Sequence, residues 1–210
     1  MFVITADQVN SRATADIVGK TLIRLNRQFG GAIIIPADRT AGDELQLLVA
    51  TGADALRVAL ELTRDGQESI GQWSVGCGVG AVDQPLPTSI REASGGAFVA
   101  ARAAVDRAKK RPTRFAVEHE SQETEAADVE AFLDLLLIIR SRRTPEGWEL
   151  YDLTEDNLTQ AEAAARLGIS PQAASKRAQA AELRAERAAV EPIARAMERL
   201  GSLKSRDKGV

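Results

Sequence analysis

At about Ala126 the sequence changes period. Before it, strand-like and helix-like patterns alternate; after it, the pattern is helical and rich in alanine. No single layered sheet accommodates both halves, so the chain reads as an α+β part over residues 1–120 followed by an all-α part over 126–210. Between them, Glu118-His119-Glu120-Ser121-Gln122-Glu123-Thr124-Glu125 is polar, acidic and without periodicity, as a solvated linker would be. The spacing predicts that His119, inside this stretch, faces solvent.

In the first part, Phe2-Val3-Ile4-Thr5 suits a buried strand, and Asp16 to Phe29 places Ile17, Leu22, Leu25 and Phe29 near one helical face ending at Gly30-Gly31. Ala32 to Pro36 and Leu45 to Val49 read as a hairpin across the turn-rich Asp38 to Asp43. A helix from Ala53 to Arg64 and an alternating strand from Trp73 to Val82 complete the order βαββαβ. That is the ferredoxin-like arrangement, a four-stranded antiparallel sheet covered on one side by two helices. A helix from about Gly96 to Arg111 and a strand over Arg114 to Val117 extend it. Gly76, Gly78 and Gly80 lie on one strand face, where close helix packing is the favoured use and approach of a ligand the other.

Composition narrows the chemistry. Cys77 is the only cysteine and His119 the only histidine, so an intrachain disulfide, a Cys/His zinc site and most histidine-dependent catalysis are excluded. Catalysis would need carboxylates, hydroxyls or a metal. Cys77, in a strand, reads as a small core residue without redox function. A net charge of -3 gives no general attraction for nucleic acid, so any DNA contact must be local. No apolar run approaches the roughly 18–20 residues of a membrane span, and the start lacks a signal-like basic region, which implies a cytoplasmic protein without membrane contact.

Asp7 ends the first strand and Asp43 begins the third. Antiparallel neighbours bring these ends together, and two close carboxylates need a cation or proton between them. Mg²⁺ held by Asp7 and Asp43 together with nucleotide phosphates is one expectation, with the backbone of Gln8, Val9, Asn10 and Ser11 supplying N–H groups to the phosphates. The plainer alternative is that Asp7 caps a helix and Asp43 closes a hairpin.

The order and spacing of Asp7-Gln8-Val9-Asn10-Ser11, Ala41-Gly42-Asp43-Glu44-Leu45-Gln46, Val75-Gly76-Cys77-Gly78-Val79-Gly80 and Gly95-Gly96-Ala97-Phe98-Val99-Ala100-Ala101-Arg102 resemble the palm domain of class III nucleotidyl cyclases and diguanylate cyclases. Residues 1 to about 118 look still more like the SatD family of small bacterial proteins. The resemblance implies metal binding by Asp7 and Asp43 and a phosphate contact for Arg102, whose bland alternative is a solvated helix-surface arginine. Phe98 stands where cyclases carry an asparagine, and it cannot donate a hydrogen bond. Nucleotide binding without catalysis is therefore expected, with no catalytic residue assigned; a nucleotidyl cyclase or nucleotide polymerase is the alternative.

The second part opens with a helix over Asp128 to Arg143, with Val129, Phe132, Leu133, Leu136 and Ile139 on one face. Later, Thr159-Gln160-Ala161-Glu162 forms a capping box, Gly168 stops the helix it starts, and Ser170-Pro171 opens another. Small alanines, a glycine at the reversal and Ile169 to fill the gap are what a helix-turn-helix demands. Gln172, Ser175, Lys176 and Gln179 share an exposed region of the second helix, and Arg177 adds charge; these five residues are the expected DNA contacts. Leu158 to Ser175 resembles the helix-turn-helix of bacterial transcription regulators. A packing or dimerisation hairpin is the other reading. The expected protein is a homodimeric, DNA-binding regulator with a nucleotide-binding sensor domain, paired through Val129 to Ile139 or through Ile193 to Leu200.

Overall fold

Residues 1–64, 73–155 and 158–203 are described by a computed structural model of the chain. Strand β1 (Phe2–Gln8) lies at the centre of the sheet. It runs antiparallel to both β3 (Glu44–Val49) and β4 (Trp73–Val79). Outside them, β2 (Ile33–Ala41) pairs antiparallel with β3 and β5 (Phe115–His119) pairs parallel with β4, giving the order β2-β3-β1-β4-β5. The chain is thus α+β with a mixed five-stranded sheet.

Both faces of β1 are covered, so Phe2 to Ala6 is buried at every position, with Thr5 as its one polar residue. Phe2, Ile4 and Ala6 meet Leu25 and Phe29 of α1 (Val18–Phe29) and Leu56 of α2 (Gly52–Leu62). Val3 points the other way, into a cluster with Ala97 and Ala101 of α3 (Gly96–Ala108). The third helix therefore covers the opposite face, as the crossover between parallel strands β4 and β5 requires. The glycines of β4 serve this packing: a Cβ on Gly78 would lie 2.1 Å from the Ala101 nitrogen, and one on Gly76 2.2 Å from that of Val105. Cys77 faces the other core, fully buried, and burial pushes its thiol up to about 12.

Three expectations need correction. Strand β2 continues to Ala41 with register shifts along its pairing, so the turn shrinks to Gly42 and Asp43, with Gly42 at φ +40°. The expected linker is the end of β5 and the start of α4 (Glu123–Ser141). His119 is buried in that strand. The acidic character misleads at Glu118, which belongs to β5 and pairs with Arg107 at 2.6 Å, while Glu123 and Glu125 stay exposed on the first turn of α4. Glu130, buried on α4, accepts from the Val117 N–H at 2.8 Å and pairs with Arg107 at 2.5 Å and Arg111 at 2.7 Å. Third, Phe132 is exposed while Val129, Leu133 and Leu136 enter the core.

The core does not end at residue 126. Leu133 and Leu136 of α4, with Ile193, Met197 and Leu200 of α8 (Leu183–Ser202), join the cluster of α1 and α2. Glu198 accepts from the Gly52 N–H at 2.6 Å, closing the start of α2. The apolar residues from Ile193 to Leu200, one of the two expected dimer surfaces, are thus consumed within the chain. Between α4 and α8, the helices α5 (Pro145–Glu155), α6 (Gln160–Arg166) and α7 (Pro171–Ala180) surround a smaller cluster of Leu150, Ala163, Ala181 and Leu183. Among the described residues, no helix is long and apolar enough to cross a membrane.

Candidate functional site

Two places on the molecule bring predicted residues together. The first is the end of β1, where Asp7 pairs in register with Glu44 of β3. Asp7, Asn10, Ser11, Arg12 and Asp43 line a shallow cleft of about 320 Å³ there. Asp43 accepts a short hydrogen bond from the Ser11 hydroxyl. That bond holds its carboxyl below the usual carboxylate range, helped by the charges of Lys109 and Arg12. Asp7 caps no helix: α1 starts only at Val18, behind Ile17, and has no side-chain cap. Instead, the Lys109 ammonium sits 2.8 Å from the Asp7 carboxylate.

Lys109 was not legible as a site residue. The signal was its spacing from Arg102 and Asp106, which places all three along one side of α3 and its C-terminal end. Arg102 is on that side too, but its Nη1 is 2.5 Å from Glu44 and its Nε 3.6 Å from Asp106. Gln8 has been given structural work. Its backbone N–H donates to the Asp43 carbonyl at 3.0 Å. Its buried side-chain amide holds the loop by donating to Thr14 Oγ1 at 2.9 Å and the Ala15 carbonyl at 2.7 Å. Val9 is half-buried, while Asn10 turns the chain at φ +55°. Phe98 packs against the apolar cluster of Val3, Ile35 and Leu48.

The second place is α7. The capping box forms as its spacing predicts: Thr159 Oγ1 accepts from the Glu162 N–H at 3.2 Å, and Glu162 accepts from the Thr159 N–H at 2.8 Å. Gly168 takes φ +66° in the four residues between α6 and α7, and Ser170 accepts from the Ala173 N–H at 3.1 Å. Leu167 joins the apolar cluster beneath, whereas Ile169 stays half-exposed.

Gln172, Ser175, Lys176 and Gln179 are all exposed on one face of α7. Ser175 and Gln179 border a cleft that continues to Gln160 of α6 and to Arg184 and Arg187 of α8. Arg177 points elsewhere, toward Glu149 of α5 at 3.8 Å. The place of Arg184 and Arg187 beside the α7 face follows from the turn between α7 and α8 at Glu182, φ +53°.

No protein-family model, curated protein or solved structure matches the chain.

Proposed function

We propose that the chain is a DNA-binding transcriptional regulator of the cytoplasm, with α6 and α7 as its helix-turn-helix and a nucleotide-responsive sheet domain. The observation that carries this reading is the α7 face. Four polar side chains that can reach base edges or phosphates stand exposed at one helical spacing, with no side-chain partner among the described residues. They sit on a helix whose N-terminus is capped and whose back is packed on α5. A recognition helix needs that combination of rigid support and uncommitted polar surface. Arg184 and Arg187 would add phosphate contacts along the adjoining cleft.

For the sheet domain, the strand order β2-β3-β1-β4 with α1 and α2 on one face supports a ferredoxin-like, cyclase-type palm and the resemblance to the SatD family. Arg12 offers positive charge to phosphates at the mouth formed by Asp7, Ser11 and Asp43, and Lys109 would join it on exchanging its pairing with Asp7 for phosphate. Two carboxylates and a hydroxyl form a short ligand set, and among the described residues no group of three His, Cys, Asp or Glu could hold an ion. Asp7 and Asp43 therefore fit Mg²⁺ only when a nucleotide brings phosphate oxygens with it. Bound that way, the ion would neutralise phosphate charge. Binding is favoured over turnover because Arg102 is committed to Glu44 and Phe98 to an apolar cluster.

Selection of bound duplexes from a random library tests the DNA reading. Enrichment of a sequence motif that Gln172→Ala alters is the expected result. Failure to retain any duplex at low salt would overturn it.

A further inference from the structure

Helix α4 carries an apolar stripe that none of the described residues covers. Phe132 is 52% exposed, Leu135 64% and Ile138 40%, with Ala131 exposed beside them. These residues fall at the spacing of one helical side, away from the buried side of Val129, Leu133 and Leu136. Solvated stripes of this kind mark contact surfaces.

The charges bounding the stripe say what fits it. Asp128 lies seven residues before Leu135 and Arg142 seven residues after it, so all three fall on one line along the helix. Both charged residues are exposed, and neither forms an ion pair among the described residues. Glu123 and Glu125 add further negative charge at the first turn. One end of the stripe is acidic and the other basic, with the apolar residues between.

A surface of that kind is complementary to itself when two copies run antiparallel. We propose that α4 pairs with α4 of a second copy of this chain about a two-fold axis at Leu135. Asp128 of each copy then faces Arg142 of the other, and Phe132 faces Ile138, since each pair is evenly spaced about Leu135. Parallel pairing would set Asp128 against Asp128 and Arg142 against Arg142, at an electrostatic cost. The other apolar helix, α8, cannot serve, because Ile193, Met197 and Leu200 are already buried against the sheet domain. The pairing is independent of DNA binding by α7 and is read without DNA.

The test is the mass of the full chain by sedimentation equilibrium, with charge reversals. The wild type should have twice the 22.5 kDa chain mass. Leu135→Glu, at an exposed position, should leave a monomer with unchanged circular dichroism. Asp128→Arg or Arg142→Asp alone should raise the dimer dissociation constant by about tenfold or more, because the two-fold repeats each contact. The double reversal should restore it to within about threefold. A monomeric wild type, a dimer indifferent to these changes, or single defects that the double reversal fails to repair would each overturn the proposal.

Discussion

Glu186 of α8 lies buried between Arg140 of α4 and Arg143 of the α4–α5 connection, its carboxylate shared by both guanidinium groups. Arg143 also donates to the Ala181 carbonyl, through Nε at 3.1 Å and Nη2 at 3.0 Å, and Arg140 donates to the Leu60 carbonyl at 3.0 Å. Both guanidinium groups lie over the Trp148 ring, 4.4 and 4.8 Å from its centroid. One carboxylate thus ties the end of α7 and the start of α8 to α4 and, through it, to α2. The orientation of α7 on the body of the protein rests on this cluster at its C-terminal end and on its packing against α5.

Removing the shared charge leaves two buried guanidinium groups uncompensated. Glu186→Gln should therefore cost about 3–5 kcal/mol in urea unfolding, the range found when one partner of a buried pair is deleted. A loss below about 1 kcal/mol would show that the cluster is not buried as described.

Gly78 and Gly168 separate two reasons for a glycine. At Gly78 an added methyl meets backbone of α3, the Ala101 nitrogen at 2.1 Å and the Ala97 oxygen at 2.2 Å, and neither can turn aside. Gly78→Ala should cost about 3 kcal/mol or more by pushing α3 off the sheet. Gly168 has open space around it but φ +66°, so Gly168→Ala should cost only the left-handed backbone penalty of about 1–2 kcal/mol. Equal losses in chemical denaturation would contradict this distinction.

What was legible in the sequence was local. The capping box at Thr159, the serine cap before Pro171 and the left-handed Gly168 depend on residues a few positions apart, and their geometry follows from spacing. The glycines of β4 were readable as a packing face for the same reason. What was hidden depended on partners far along the chain. Lys109 reaches Asp7 across more than a hundred residues, and α8 returns to bury Met197 against Gly52. His119 looked solvated because the acids around it suggested water, yet pairing in β5 removes it from solvent. Arg177 has the right charge for a DNA contact but stands on the side of α7 that faces Glu149.

Burial lowers the pKa of His119 against the opposing pull of Glu120, the Leu203 backbone and Glu125. The folded state therefore prefers the neutral imidazole more than the unfolded chain does. Stability from this group is full above the ordinary histidine value of about 6.5 and declines as pH falls from there toward the lowered folded value. Denaturation midpoints measured across that window should fall for the wild type and fall less for His119→Gln. Parallel curves would contradict the assignment.

Nucleotide binding at the β1 mouth predicts a separation of stability from affinity. The Asp7–Lys109 pair is partly exposed, so Lys109→Ala should change stability by about 1 kcal/mol or less. A nucleoside triphosphate with Mg²⁺, at a hundredfold excess over its dissociation constant, should stabilise the wild type by about 2.7 kcal/mol. Lys109→Ala and Asp43→Asn should both reduce that gain. A gain unaffected by both substitutions would place the ligand elsewhere, and no gain with any triphosphate would remove the site.

The α7 face is tested most directly by the salt dependence of duplex binding for the wild type and Lys176→Ala. Wild-type affinity should fall linearly on a double-logarithmic plot, and the variant should bind more weakly with a slope smaller by about 0.9, the loss of one phosphate contact. Identical slopes and affinities for the two proteins, or no wild-type binding even at about 50 mM salt, would contradict a role for α7 in the groove.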